Sequence, residues 1–199
     1  MNTHIIPKAP ADPDWSSITS LPIDQLLWTE STDITAQAQI CYDSDALHVR
    51  LSAQEAHIRA EHTGVLGMPC EDSCLEFFFS PICGDTRYLN FEFNPNGCLY
   101  LGIGSGIHDL VRLLPEEEAL FQPQPRRTGS GWEITYRIPT EFIRRFFPGF
   151  TAAPGASMRA NFFKCGDLTP QPHFLAWNPV TSETPAFHRP CDFGLLTFG

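Results

Sequence analysis

Polar and apolar positions alternate along much of the chain. Ile34, Ala36, Ala38, Ile40 and Tyr42 alternate with Thr35, Gln37, Gln39 and Cys41. After the turn-forming Asp43-Ser44-Asp45, Leu47, Val49 and Leu51 alternate with His48 and Arg50. Period two sends successive side chains to opposite faces, so this stretch reads as a hairpin whose strands each bury one face. Further strands are expected over residues 74–80, 88–94, 98–103, 132–138, 157–164 and 193–198. Turn signals such as residues 81–86 and Pro95-Asn96-Gly97 separate them. Helical signals are few. Residues 140–147 follow Pro139 and would turn Phe142, Ile143, Phe146 and Phe147 inward, and a weaker candidate over 109–118 is interrupted by Pro115. No repeat and no linker divides the chain. The pattern predicts one all-β domain over residues 1–199, an antiparallel β-sandwich of immunoglobulin or jelly-roll kind. It would carry one or two short helices, with residues 1–20 as an extended N-terminal arm.

Composition narrows the function classes. Of 199 residues, 42% are hydrophobic, which excludes disorder as a description of the whole. The 13 basic and 23 acidic residues give a net charge of −10. Such a surface repels phosphate backbones and anionic lipid, so neither nucleic acid nor a membrane is an expected partner. No apolar run approaches the roughly 20 residues needed to cross a bilayer. Residues 1–15 lack the apolar stretch of a secretion signal, and the seven cysteines fit no small disulfide framework. Reduced thiols in the cytoplasm are the expectation, or a periplasmic or extracellular location had a leader been removed. Exposed aromatic residues would also suit a homodimer interface.

The candidate chemistry sits on one predicted sheet face. Alternation puts Leu89, Phe91 and Phe93 opposite Tyr88, Asn90, Glu92 and Asn94, and Leu75, Phe77 and Phe79 opposite Cys74, Glu76 and Phe78. It likewise puts Arg159, Asn161 and Phe163 opposite Met158, Ala160 and Phe162. If these strands are neighbours, Glu76, Asn90, Glu92, Asn94, Arg159 and Asn161 share a surface with Phe78, Tyr88 and Phe163. Carboxylates, amides and a guanidinium beside rings suit a mono- or oligosaccharide, whose hydroxyls donate and accept while its C–H face stacks. The same pattern also describes a plain solvated sheet face. Proline-punctuated loops further on present His173, Trp177, His188 and Arg189. Trp177 would stack on a pyranose or pack in a core, and His188 and Arg189 read as loop anchors.

Metal and catalytic motifs are sparse. Cys165, His173, His188 and Cys191, with Cys70 and Cys74, could gather as zinc ligands, yet no Cys-x2-Cys pair exists. Asp12, Asp14, Asp43, Asp45, Glu71 and Asp72 lie in turn-like contexts open to calcium, without EF-hand spacing. There is no nucleophile elbow, phosphate loop or His-Glu-x-x-His. The enzyme reading would rest on Glu76, Glu92 and His173 as acid and base of a carbohydrate-active enzyme. A third reading is a sandwich that binds another small molecule or a protein.

Three segments carry a resemblance. They are Glu71-Asp72-Ser73-Cys74-Leu75-Glu76-Phe77-Phe78, then Tyr88-Leu89-Asn90-Phe91-Glu92-Phe93-Asn94 with Gly97, and the tail from Arg159 through Lys164-Cys165-Gly166-Asp167 and Trp177 to Phe187-His188-Arg189-Pro190. They resemble family 9 carbohydrate-binding modules, and especially their stand-alone bacterial branch, from about Trp28 to the C-terminus. The resemblance implies a DOMON-like β-sandwich and non-catalytic binding of a terminal glucan- or xylan-type sugar unit between two tryptophans. It also implies structural calcium in some members. By motif, Glu76 would bind a hydroxyl, Trp177 would be one clamping ring and Asn94 a polar contact. The other tryptophan is expected where Cys70 stands, with His62, Met68, Phe78 or Tyr100 as replacements. A haem, held by Met68 and His173, is the further possibility that the DOMON relatives raise.

Overall fold

The computed structural model describes residues 1–114 and 118–199. Among the described residues, fourteen strands, β1 (Thr3–Ile6), β2 (Leu21–Ile23), β3 (Gln25–Leu26), β4 (Thr35–Tyr42), β5 (Ala46–Gln54), β6 (Cys74–Ser80), β7 (Tyr88–Phe93), β8 (Leu99–Gly104), β9 (Val111–Arg112), β10 (Gln124–Arg127), β11 (Gly131–Pro139), β12 (Ser157–Cys165), β13 (Phe174–Ala176) and β14 (Gly194–Phe198), form two sheets. The back sheet runs β10-β11-β5-β4-β2 and the front sheet β1-β14-β12-β6-β7-β8-β9, with β13 beside β12 and β3 beside β13. All pairings are antiparallel except β1 with β14.

The predicted alternation sets the core. Ala36, Ala38, Ile40, Tyr42, Leu47, Val49, Leu51, Trp132, Ile134, Tyr136 and Ile138 of the back sheet meet Leu75, Phe77, Phe79, Leu89, Phe91, Phe93, Met158, Ala160 and Phe162 of the front sheet. Phe77 stacks on Phe79 and on Phe162 with ring centroids 4.8 and 4.7 Å apart. Stacked rings of this kind add about 0.5–1.5 kcal/mol beyond burial. The helix α1 (Thr140–Phe146) forms where expected and buries Phe142 and Ile143.

One expectation fails locally. Of the candidate helix over 109–118, the described part is not α-helical: a 3-10 turn at Ile107–Asp109 leads directly into β9, and Glu118 begins another 3-10 turn. Residues 115–117 of that candidate lie outside the described residues. The N-terminal arm is held to the sheet, because Thr3–Ile6 pairs in register with Leu195–Phe198. Among the described residues, no helix is long and apolar enough to cross a membrane.

Where β12 changes neighbours, a side chain substitutes for a strand. Its first half pairs β14 and its last three residues pair β13. In the gap, the Asn161 amide donates to the Asn178 carbonyl at 2.9 Å and accepts from the Asn178 N–H at 2.8 Å. This ties the chain leaving β13 to the sheet without a ladder. At one end of the core sits a buried polar network. Glu55 accepts from the Trp132 indole at 2.6 Å and from the Ser73 hydroxyl at 2.8 Å, and pairs with the Lys164 ammonium at 3.3 Å. Lys164 in turn donates to His173 Nε2 at 2.8 Å. Removing one member strands the others in a dry site, at about 3–5 kcal/mol. Glu55→Ala is therefore expected to lower the denaturant midpoint sharply. Replacing both charges, as in Glu55→Gln with Lys164→Met, should restore part of the loss in the same unfolding titration.

Candidate functional site

The outer face of the front sheet is covered by loops. Strand register arranges its side chains in rows. One row runs Ala176, Phe163, Glu76, Glu92 and Tyr100 across β13, β12, β6, β7 and β8. The next row on one side runs Phe174, Cys165 and Cys74, and on the other Asn161, Phe78, Asn90, Gly102 and Arg112. Over the centre of these rows opens a cleft of about 530 Å³. Glu76 and Glu92 belong to its lining, with Trp28, Phe174 and Phe187 from one edge and Tyr100 from the other. A broader depression of about 750 Å³ lies over the back sheet. Its charges satisfy one another, since Arg50 and Arg126 both bind Glu133 at 2.6 Å, and its Trp132 is fully buried. The front cleft has both rings and buried carboxyl groups, so it is the candidate site.

Its aromatic wall is built locally. Residues Leu27 to Thr29 turn back after β3, and Trp28 sits at φ 54°, in the left-handed region that glycine favours. The turn is fixed by the Leu27 N–H to the Phe174 carbonyl at 2.9 Å and the Trp28 indole to the Ser182 carbonyl at 2.8 Å. Trp28 meets Phe174 edge-on at 5.6 Å and Phe187 at 5.5 Å, while Phe187 stacks on Phe163 at 4.1 Å. His188 receives the Tyr88 hydroxyl on Nδ1 at 2.7 Å and tilts over Phe78. Burial pulls its pKa down to about 4, so the ring is neutral at pH 7. On the far edge the Arg112 guanidinium lies 4.5 Å above the Tyr100 ring and binds the Leu66 and Gly67 carbonyls.

The floor is acidic and desolvated. Glu76 is 2% and Glu92 5% exposed. Burial raises Glu76 to about 7, partly offset by the Cys165 thiol donating to Oε1 at 3.0 Å, and Asp167 adds to the rise. Burial, and then Glu76 beside it, lifts Glu92 well above the usual carboxylate range, although Asn90 donates to its Oε1 at 2.7 Å. Like charges on facing residues cannot both ionise cheaply, so the pair holds a proton near neutrality. Gly102 is required here, because a Cβ would come within 2.4 Å of Asn90 Oδ1.

Of the eight residues nominated from sequence, Glu76 and Glu92 alone line the cleft. Asn90 stands behind Glu92 as its donor. Asn94 is a turn brace: its amide nitrogen donates to Asp72 and His62, and its oxygen accepts from the Asn96 and Cys98 N–H groups. Arg159 binds the Phe193 carbonyl and the Met1 thioether, and Asn161 bridges strands. His173 accepts from Lys164 beside a separate void of about 30 Å³, with its pKa lowered to about 4 by burial and then by Lys164. Trp177 does not line the cleft. It is 4% exposed in the inter-sheet core, edge-on to Phe162 and pressed against Gly194. The rings of the cleft come instead from Trp28, Phe174, Phe187 and Tyr100. Trp28 was legible only as an indole in a polar turn, Trp28-Thr29-Glu30-Ser31, where no core contact would demand one.

The metal and haem readings separate as well. Three of the carboxylates proposed for calcium are engaged apart from one another. Asp14 caps a 3-10 turn, Asp43 binds His48 and two backbone amides, and Asp72 faces Arg59 and the N–H groups of Glu61 and His62. Both ring nitrogens of His173 are occupied, by Lys164 and by the Gln171 carbonyl, and Met68 lies at the other cavity, so the two do not form an axial pair. His188 and exposed Cys191 do not join Cys165 in a cluster among the described residues.

Known proteins agree with this architecture. A search of curated proteins returns no significant match. A crystal structure of a candidate carbohydrate-binding protein from Bacteroides uniformis ATCC 8492 is 29% identical. It superposes with a TM-score of 0.85 over 99% of both chains. Two structures of a family 9 carbohydrate-binding module from Caldicellulosiruptor kristjanssonii, one in complex with cellotriose and one with glucose, are each 12% identical. Their TM-scores are 0.69 and 0.70, covering 99% and 100% of this chain and 93% and 96% of theirs. The family model for carbohydrate-binding family 9 matches residues 9–198, nearly the whole sandwich, and the chain belongs to that family.

Proposed function

We propose that this protein binds a saccharide in the front-sheet cleft without chemically altering it, taking the terminal unit of a glucan- or xylan-type oligosaccharide. The observation that carries the reading is the pairing of the buried, facing Glu76 and Glu92 carboxyl groups of the floor with the Trp28–Phe187–Phe174 wall. A carboxylic acid donates and its neighbouring carboxylate accepts, which matches two adjacent hydroxyls, each both donor and acceptor. The rings offer flat apolar faces to the sugar's C–H groups. Family membership supports the reading, as do the glucose and cellotriose complexes of the Caldicellulosiruptor module.

The direct test is tryptophan fluorescence and calorimetric titration with glucose, xylose, cellobiose, xylobiose and the corresponding alditols. Saturable binding of an intact sugar with no turnover is expected; silence at millimolar concentrations of every sugar overturns the proposal. Glu76→Ala should weaken binding about 10–100-fold, the loss of one or two hydrogen bonds to a charged group. Trp28→Ala should weaken it severalfold, at about 1 kcal/mol of stacking. Trp177→Phe should lower the melting temperature and leave affinity unchanged.

Acidity gives an independent check. Glu76 has a folded pKa of about 7 against 4.5 for an ordinary glutamate. A raised folded value favours the native state at low pH, and that contribution is lost as pH climbs through 4.5 to about 7. Wild type should therefore lose stability relative to Glu76→Gln between about pH 5 and 8 in parallel unfolding series. Sugar affinity should fall over the upper part of that range, as the donor proton leaves. A flat profile in both measurements would show that the two carboxyl groups do not share a proton.

A further inference from the structure

We propose that the floor of the cleft is also a binding site for a soft divalent metal ion such as zinc, held by the sulfurs of Cys74 and Cys165 and the carboxylate of Glu76. The antiparallel register sets Cys165 directly opposite Cys74, and Glu76 follows two residues along on the same face. One ligand atom from each of the three residues lies within 4.8 Å of the other two. The Cys165 thiol already contacts Glu76 Oε1 at 3.0 Å. Tetrahedral zinc, with bonds of about 2.3 Å to sulfur and 2.0 Å to oxygen, spaces its ligand atoms roughly 3.5–3.8 Å apart. The three atoms thus need small side-chain adjustments and no movement of the strands.

The surroundings fit a cation. Cys70, from the 3-10 turn Pro69–Glu71, and Asp167 both line the cleft beside this trio but outside its 4.8 Å group, so the fourth position of a tetrahedral ion falls to water. The Asp167 N–H bonds the Cys70 carbonyl at 2.9 Å, which fixes the two segments together at the rim. Three thiols and three carboxyl groups, including Glu92, meet here. The nearest basic groups are engaged elsewhere: Lys164 by Glu55, His173 and the Cys165 carbonyl, and Arg112 by the Leu66, Gly67 and Leu99 carbonyls. Sulfur donors select zinc and its soft neighbours over calcium or magnesium, which take oxygen shells. Binding is an exchange: the ion enters, and the thiol protons and any proton on Glu76 pass to solvent.

The test uses tag-free, fully reduced protein stripped with a chelator, with no sugar present, so its outcome is separate from that of the saccharide reading. Zinc is titrated in competition with a chromophoric chelator, and cobalt(II) is added in its place to read the electronic spectrum. One tight equivalent of zinc and an intense sulfur-to-cobalt charge-transfer band are expected. Cys165→Ser and Glu76→Gln should each weaken binding about tenfold or more while folding normally by circular dichroism. The double variant Cys83→Ser with Cys191→Ser removes two exposed thiols and should bind as wild type does. Absence of the charge-transfer band in wild type, or loss of zinc in the exposed-thiol variant alone, overturns the proposal. So does a reduced wild type that competes no better for zinc than Cys165→Ser. Because the cobalt band is read on wild type, a variant that misfolds does not remove the test.

Discussion

The pairing of β6 with β12 on one side and β7 on the other is the constraint from which the rest of this molecule follows. One register decides both faces at once. It turns Leu75, Phe77 and Phe79 into the sandwich, and it turns Cys74, Glu76 and Phe78 outward beneath the loops. A slip of one residue would bury the carboxylate among phenylalanines and expose the rings. The energetic strength of the inner face therefore also holds the chemistry of the outer face in place.

Yet that outer face is not solvated, and this gives the floor its character. Loops carrying Trp28, Phe187 and Met68 roof the central rows, so groups that would be ordinary on an open sheet become desolvated. Burial first, and neighbouring carboxyl groups after it, move Glu76, Glu92 and the Cys74 thiol towards their neutral forms. A second, smaller hydrophobic cluster of Phe78, Tyr88, Phe163 and Phe193 supports the roof from below. The sheet is thus packed on both sides, with a strip of polar groups running between two apolar regions.

Much of this was readable in the chain and some was not. The alternations at residues 34–51, 74–80, 88–94 and 132–138 identified strands and their inward faces, because period two is a local property. They also placed Glu76 and Glu92 on a common face. What alternation cannot report is the state of a side chain within that face. Asn94 and Asn161 shared the predicted face, but their amides complete backbone hydrogen bonds that the sheet lacks, a role set by where loops leave. Trp177 left two readings open, a ligand contact in a proline-rich loop or a core residue, and the segment that carries it rejoins the sheet and places the indole in the core. Trp28 and Phe187 come together from segments about 160 residues apart, so their association exists only in three dimensions.

The order of strands in space also says what closes the front sheet. β14 lies between β1 and β12, and the Tyr42 hydroxyl closes on the Gly199 carbonyl beside them. The β1–β14 ladder joins residues about 190 positions apart in sequence, as in Thr3 opposite Leu195. While β14 is undocked, one side of β12 is an open edge able to recruit another strand. Docking of this one short strand therefore seals the sheet against foreign strands as well as joining distant parts of the chain.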